Sequence, residues 1–272
     1  MEIPQTRYAT TGDGVHIAYQ VAGGGPFDLV YVPGWTSNLE AVWDLPLHGP
    51  FLRRLASLAR LILFDRWGSG VSDRPPKDES LALEYGVDDI RAVMDAVDSE
   101  RAVLFGFEDA GILSAVFAAS YPERVQALIL FAAWARYRNA PDYPWGWGED
   151  QILEIDQHLE AEWGSEAFWR WNFATVAPSK VDDVAFVREY ARYFRLCASP
   201  SAIVAIERAS REIDARAILP SIQAPTLVIQ REDDLVEPVE QSHWITGQIP
   251  GSRSCSCCPE TSTSTTTATP KG

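Results

Sequence analysis

Histidine and cysteine are both scarce in this chain, and each scarcity limits the chemistry open to it. There are four histidines in 272 residues: His16, His48, His158 and His243. Cys197 stands alone, while Cys255, Cys257 and Cys258 crowd the end of the chain. No paired C-x-x-C set occurs, and no histidine near that cluster completes four ligands. Free thiols are therefore expected, with no metal and no other cofactor. Long apolar runs are also missing, since nothing approaches the roughly 20 residues that span a bilayer. The opening Met1-Glu2-Ile3-Pro4-Gln5 lacks the basic and apolar regions of a signal peptide, which points to a cytoplasmic protein. Positive charge is in deficit as well: 23 Lys and Arg face 38 Asp and Glu, a formal net charge of −15. Nucleic acid and anionic membrane are excluded as partners by that balance, because both are polyanions.

The 46% apolar content is enough to bury a full core in one or at most two domains. Val15 to Val21 and Asp28 to Val32 read as strands around a Gly-rich turn. Helical spacing covers residues 51–58, a strand covers Leu61 to Phe64, and a Gly/Ser/Pro-rich loop runs from Asp65 to Lys77. Val87, Ile90, Val93, Met94 and Val97 mark another helix. A strand from Ala102, a helix from about Gly111 to Tyr121 and a strand from Ala127 to Phe131 follow. Apolar strands alternating with helices indicate an α/β protein whose parallel sheet is covered on both faces. From residue 134 to 219 the texture changes to long helical segments holding six of the ten tryptophans, Trp134, Trp145, Trp147, Trp163, Trp169 and Trp171. This stretch reads as a helical lid over the sheet's C-terminal edge. It divides a core of residues 1–133 and 220–251, in which Ala224 to Gln230 form a strand and Val239 to Gly247 a helix.

The segment Gly106-Phe107-Glu108-Asp109-Ala110 sits between an apolar strand and a helix. That is the context of the nucleophile elbow G-x-S-x-G, whose tight turn lifts a serine above the sheet. Gly106 and the small Ala110 fit the pattern, but the serine position holds Glu108, and a carboxylate cannot perform serine-type acyl transfer. Two other loops fall at strand C-termini, where sites of open parallel sheets lie. In Pro33-Gly34-Trp35 a backbone N–H could join that of Asp109 to bind an oxyanion. In Arg231 to Pro238 an acid could orient a histidine.

Taken in order, Asp65-Arg66-Trp67-Gly68-Ser69-Gly70-Val71-Ser72-Asp73, the elbow, Tyr121-Pro122-Glu123-Arg124 and the Asp234-to-Pro238 spacing resemble the α/β-hydrolase superfamily. Ile17-Ala18-Tyr19-Gln20, Arg91 to Ala96 and Ala140 to Pro144 resemble, more narrowly, the hydrolase-like N-terminal domain fused to actinobacterial class III adenylate/guanylate cyclases. The resemblance spans about residues 5–251. It implies a mostly parallel sheet of the α/β-hydrolase type with an inserted helical lid and, as a partner, a fused or downstream nucleotide cyclase domain. Carried over, Glu108 takes the nucleophile position, Asp234 the triad acid, and Gly34, Trp35 and Asp109 the oxyanion or ligand-binding positions. Asp234 also suits a cap for the helix near Val239, while Arg66 and Asp73 suit a structural loop network.

Two departures stand out. Family members that open epoxides or carbon–halogen bonds use a carboxylate nucleophile, normally Asp. Glu is one methylene longer, and the resulting shift of about 1 Å can cost on the order of 10²-fold. The family's base histidine follows the last strand, and this chain has none there: His16 is in an early strand, His48 in an early loop, His158 in the lid and His243 on the helix after Asp234.

After Gly251 the pattern collapses into Ser-Cys-Ser-Cys-Cys and a Thr/Ser run, so residues 252–272 read as disordered and the C-terminal strand as missing. The genetic code offers a second reading. If each codon began on the third base of the one written, Ser254 to Cys258 would become five apolar residues and the threonine run would supply histidines. A native low-complexity tail and a displaced reading frame both remain open.

Three functions are compatible with these residues. The chain is a catalytically impaired, ligand-sensing or regulatory module for a small apolar ligand; or a hydrolase of esters, epoxides or halides that has lost its histidine loop; or a damaged product with an exposed sheet edge.

Overall fold

The computed structural model describes residues 2–75 and 83–257. Its elements in chain order are β1 (Arg7–Thr10), β2 (His16–Ala22), β3 (Asp28–Val32), α1 (His48–Ala56), β4 (Arg60–Phe64), α2 (Leu83–Ala96), β5 (Ala102–Phe107), α3 (Asp109–Ser120) and β6 (Val125–Phe131). Four helices follow, α4 (Glu149–Glu162), α5 (Glu166–Val176), α6 (Val184–Cys197) and α7 (Pro200–Ser210), and then β7 (Thr226–Arg231), α8 (Val239–Gln248) and β8 (Arg253–Cys257).

The strands form one sheet in the order β1-β2-β4-β3-β5-β6-β7-β8. The β1–β2 and β2–β4 pairs are antiparallel and the others parallel. Successive strand residues enter opposite cores, as the two-residue period requires. Leu29, Leu61, Leu63 and Phe105 join one cluster, with Leu52 of α1. Val30, Ile62, Phe64 and Leu104 join the other, with Ile90, Leu113 and Ile245 of α2, α3 and α8. Both faces are covered, which is why these strands are apolar throughout.

The long stretch between β6 and β7 is helical. α4 packs on α7 and α5 on α6. Phe168, Trp169 and Tyr190 from this insertion bury themselves in the same cluster as Leu39, Leu52 and Phe105. No helix among the described residues is long and apolar enough to cross a membrane.

One expectation is corrected. The sheet position assigned to a missing C-terminal strand is filled by β8, which pairs in parallel with β7 from Leu227↔Arg253 to Arg231↔Cys257. Sheet ladders are made by main-chain groups, so a polar Ser/Cys segment can complete them where no side chain must be buried. At this edge Arg253, Ser254, Cys255 and Ser256 are all exposed. Residues 253–257 thus form a strand in the frame as written. Residues 258–272, including Cys258 and the threonine run, lie outside the described residues, as do residues 76–82 of the loop after β4.

Candidate functional site

The β5–α3 turn concentrates strain at one residue. Glu108 has φ 52° and ψ −120°, a conformation costing about 1–3 kcal/mol for a residue with a Cβ. The turn closes through two backbone bonds, Glu108 N–H to the Phe131 carbonyl and Gly111 N–H to the Glu108 carbonyl, each 3.0 Å. It also explains Gly106, where a Cβ would lie 2.4 Å from the Ala110 carbonyl oxygen. Helix α3 starts directly at Asp109, two residues earlier than the sequence pattern suggested, because the elbow passes into the helix without a linker.

Two further strand ends carry positive φ without glycine, Trp35 (46°) after β3 and Ala132 (49°) after β6. Trp35 is fixed at both of its N–H groups. Its backbone N–H donates to Oδ1 of Asp109 at 2.6 Å, and its indole Nε1 donates to Oε2 of Glu207 on α7 at 2.9 Å. The other Asp109 oxygen accepts from Arg66 Nη1 at 2.7 Å. Gly34 permits this approach, since a Cβ there would meet the Phe107 carbonyl oxygen at 2.9 Å and Asp109 Oδ1 at 3.0 Å. Glu207 is buried, and it also accepts from the Tyr137 hydroxyl. Arg211, one turn on, is held by Asp156 of α4 at 2.6 and 2.9 Å.

The Glu108 carboxyl has no hydrogen-bond partner among the described residues. Burial foremost, then the nearby charges of Asp109 and Asp234, push its pKa up to about 8, with Arg231 opposing. It is predominantly neutral at pH 7. Glu237, which is buried where Glu108 is only partly so, is raised well above its ordinary value by burial and then by Glu108, against a hydrogen bond from Gln241.

Asp234 is committed to its own loop. Oδ1 accepts the N–H groups of Val236 and Glu237 at 3.0 and 3.1 Å, and Oδ2 is paired with Arg231 at 3.1 Å. It does not cap α8, whose N-cap is Pro238.

All four histidines lie among the described residues, and none is bonded to Glu108 or Asp234. His16 pairs with Asp73 at 3.0 Å on the surface, and His158 with Glu162 at 3.2 Å while stacking on Trp171. His243 is exposed on α8. His48 opens α1, where a loop was expected; its Nδ1 meets the Tyr190 hydroxyl at 3.0 Å, and burial pushes its pKa down to about 4.

Above the elbow are two cavities that share Trp35 and Glu108. The larger, about 310 Å³, lies between the β7–α8 loop and the helical insertion. The smaller, about 200 Å³, is lined by aromatic groups including Tyr31, Phe107, Trp169 and Tyr190, and by His48. No group of three or more His, Cys, Asp or Glu side chains among the described residues is arranged to hold a metal ion.

Residues 29–260 match the family model of the alpha/beta hydrolase fold. The chain belongs to the α/β-hydrolase family. It is 26% identical over 242 residues to a pimeloyl-[acyl-carrier protein] methyl ester esterase of Nitrosomonas europaea, covering 88% of each chain. It is 24% identical over 238 residues to the Karrikin insensitive 2 receptor IA of Petunia hybrida, covering 86% of this chain and 83% of the receptor. An esterase from Exiguobacterium antarcticum superposes with a TM-score of 0.78 at 21% identity, over 93% of this chain and 90% of that one.

Within this α/β-hydrolase the structure brings Gly34, Trp35, Glu108 and Asp109 together at the strand ends, with Asp234 close enough for its charge to act on Glu108. Arg66, read from sequence as part of a structural loop network, pairs with Asp109 at the elbow. Glu207 and Tyr137 carried no sequence signal, because their partners lie far away in the chain; Glu207 meets Trp35 across 172 positions and Tyr137 across 70.

Proposed function

We propose that this α/β-hydrolase is a ligand-binding module that holds a small, largely apolar molecule above the elbow without turning it over. One observation carries the reading: the Trp35 N–H that would stabilise an oxyanion is already donated to the chain's own Asp109 carboxylate. The neutral Glu108 is a poor nucleophile, and none of the four histidines is placed to activate it. The tryptophan-rich insertion acts as a lid in this reading, and a cyclase-type partner, fused or separate, reads out occupancy. A cyclase reading frame adjoining this one would support that last step. The receptor name of a petunia relative supports ligand sensing as a use of this fold.

The test is turnover against binding. The purified chain is assayed with 4-nitrophenyl butyrate, styrene oxide and 1-bromobutane, and small aromatic molecules are titrated by tryptophan fluorescence. Saturable binding with no turnover is expected; turnover that disappears in Glu108→Gln overturns the proposal.

The esterase names among the relatives favour a second reading, in which the chain is a hydrolase of esters, epoxides or halides whose histidine loop is lost from the frame as written. That reading requires the DNA around codon 252 to carry a displaced frame, and a Glu108→Ser chain with the reframed tail to cleave a chromogenic ester. An in-frame Ser/Cys/Thr tail in independent reads removes it.

A further inference from the structure

Nineteen residues line the larger cavity; five are carboxylic acids, six are aromatic, and none is Lys, Arg or His. Four of the acids are already engaged. Asp109 is held by Arg66, Glu207 by Trp35 and Tyr137, Glu154 by the Trp171 indole at 3.2 Å, and Glu237 by Gln241. Glu108 is the fifth, and its carboxyl has no hydrogen-bond partner among the described residues. Trp134, Trp147 and Trp171 line the same cavity. Aromatic faces carry negative quadrupole charge and attract cations, most strongly at tryptophan.

We infer that this cavity takes an organic cation, an apolar body carrying a primary to quaternary ammonium group, with the charged head against Glu108 and the body among the tryptophans. The inference rests on the binding reading above and names the ligand class for that site. Two of the three charges that act on Glu108 are carboxylates. Asp109 and Asp234 bear on it from α3 and the β7–α8 loop, and its own charge in turn bears on Glu237 and Tyr31. The opposing cation is Arg231, held by Asp234 at 3.1 Å and outside the cavity lining. A ligand anion would meet a lining with five carboxylic acids and no Lys, Arg or His, whereas a cation finds the unpartnered carboxyl of Glu108. The chain's excess of acids, 38 against 23 basic residues, draws cations toward the mouth as well. In the empty site Glu108 keeps its proton at neutral pH, so an arriving ammonium group displaces that proton and forms the pair.

The experiment is calorimetric titration of the full chain with three ligands of one shape: 3-phenylpropylammonium, 3-phenylpropanol and 3-phenylpropanoate. At pH 8 the ammonium ion is expected to bind at least about ten-fold tighter than the alcohol, and the carboxylate more weakly than either. From about pH 6 to 8 the amine stays protonated, so its affinity should climb several-fold as Glu108 ionises while that of the alcohol stays level. This pH arm needs no variant. Glu108→Gln should retain the alcohol and bring the charge preference below about three-fold. Equal or tighter binding of the alcohol, or a preference unchanged in Glu108→Gln, overturns the cation inference and leaves the binding reading standing. Failure of all three probes to bind overturns both, while turnover of the ester, epoxide or halide overturns the binding-only reading by itself.

Discussion

The backbone N–H of Trp35 meets Asp109 Oδ1 at 2.6 Å, bridging 74 positions of sequence and joining the loop after β3 to the first turn of α3. Arg66 holds the other oxygen at 2.7 Å, with the Arg66 and Asp109 side chains only 19% and 8% exposed. A carboxylate immediately after the elbow thus engages the Trp35 N–H, and it is too well partnered to leave cheaply. Removing one member of such a buried pair strands the other charge. Asp109→Ala is therefore expected to destabilise the fold by about 3 kcal/mol in urea denaturation. Asp109→Asn should cost less, because its amide oxygen can still accept from Trp35. The Arg66→Met/Asp109→Leu double variant should recover most of the loss. A cost for Asp109→Ala under about 1 kcal/mol would mean the pair holds nothing in place.

Glu108 makes stability depend on pH with a definite sign. Its carboxyl titrates near 8 in the folded chain against 4.5 ordinarily, so between these values the native state binds the extra proton. The associated stability is complete below about pH 4.5 and is lost as pH rises through about 8. The charges facing it are Asp109, Asp234 and Arg231, none of which is a histidine that would reverse the trend. Asp89, raised to about 7 chiefly by burial, adds a separate slope of the same sign, so the comparison must be between variants. Wild type minus Glu108→Gln should lose stability from pH 5 to 8, by at most about 1.4 kcal/mol per pH unit, less where cavity water reaches the carboxyl. Parallel curves for the two proteins would place Glu108 in an ordinary solvated environment.

Periodic features of this fold were legible in the sequence because they repeat. The strands at Leu29 and Leu61 and the helix through Ile90 and Met94 follow from two- and 3.6-residue spacing. Gly106 and Glu108 were placed by a local strand–turn–helix pattern. The loop at Trp35 and the elbow at Asp109 were placed side by side from sequence, but the Trp35–Asp109 bond and the reach of Glu207 to the Trp35 indole were not legible, since no local rule links these distant segments. β8 escaped for another reason. Burial patterning detects strands through their side chains, and an edge strand whose side chains are exposed satisfies only its backbone.

Glu207 ties the Trp35 indole to the Tyr137 hydroxyl deep beside the cavity. Burial raises its pKa, while the Tyr137 and Trp35 bonds pull it down. Glu207→Ala leaves both donors without their acceptor and is expected to cost about 1.5–3 kcal/mol. It should also loosen the contact between α7 and the loop after β3, shifting tryptophan emission as Trp35 loses its partner. Glu207→Gln preserves an acceptor oxygen and should lose less than half as much. Equal losses in the two variants would show that the charge, through Arg211 at 3.9 Å, matters more than the hydrogen bonds.

The polar β8 leads to a prediction about its neighbour. β7 carries the exposed Leu227 and pairs along β8 from Arg253 to Cys257. β8 adds almost no apolar burial, so its value lies in satisfying the β7 backbone and covering an open edge. A chain ending at Ser252 should keep its core and remain cooperative in unfolding, yet the β7 amides directed at β8 should exchange at least about ten-fold faster. The same chain should associate more readily at high concentration, through the exposed edge. Unchanged exchange in β7 would mean that β8 does not hold this position in solution. Faster exchange throughout the sheet would instead make the strand a structural necessity, and a Ser/Cys sequence would then be sustaining the whole fold through main-chain bonds alone.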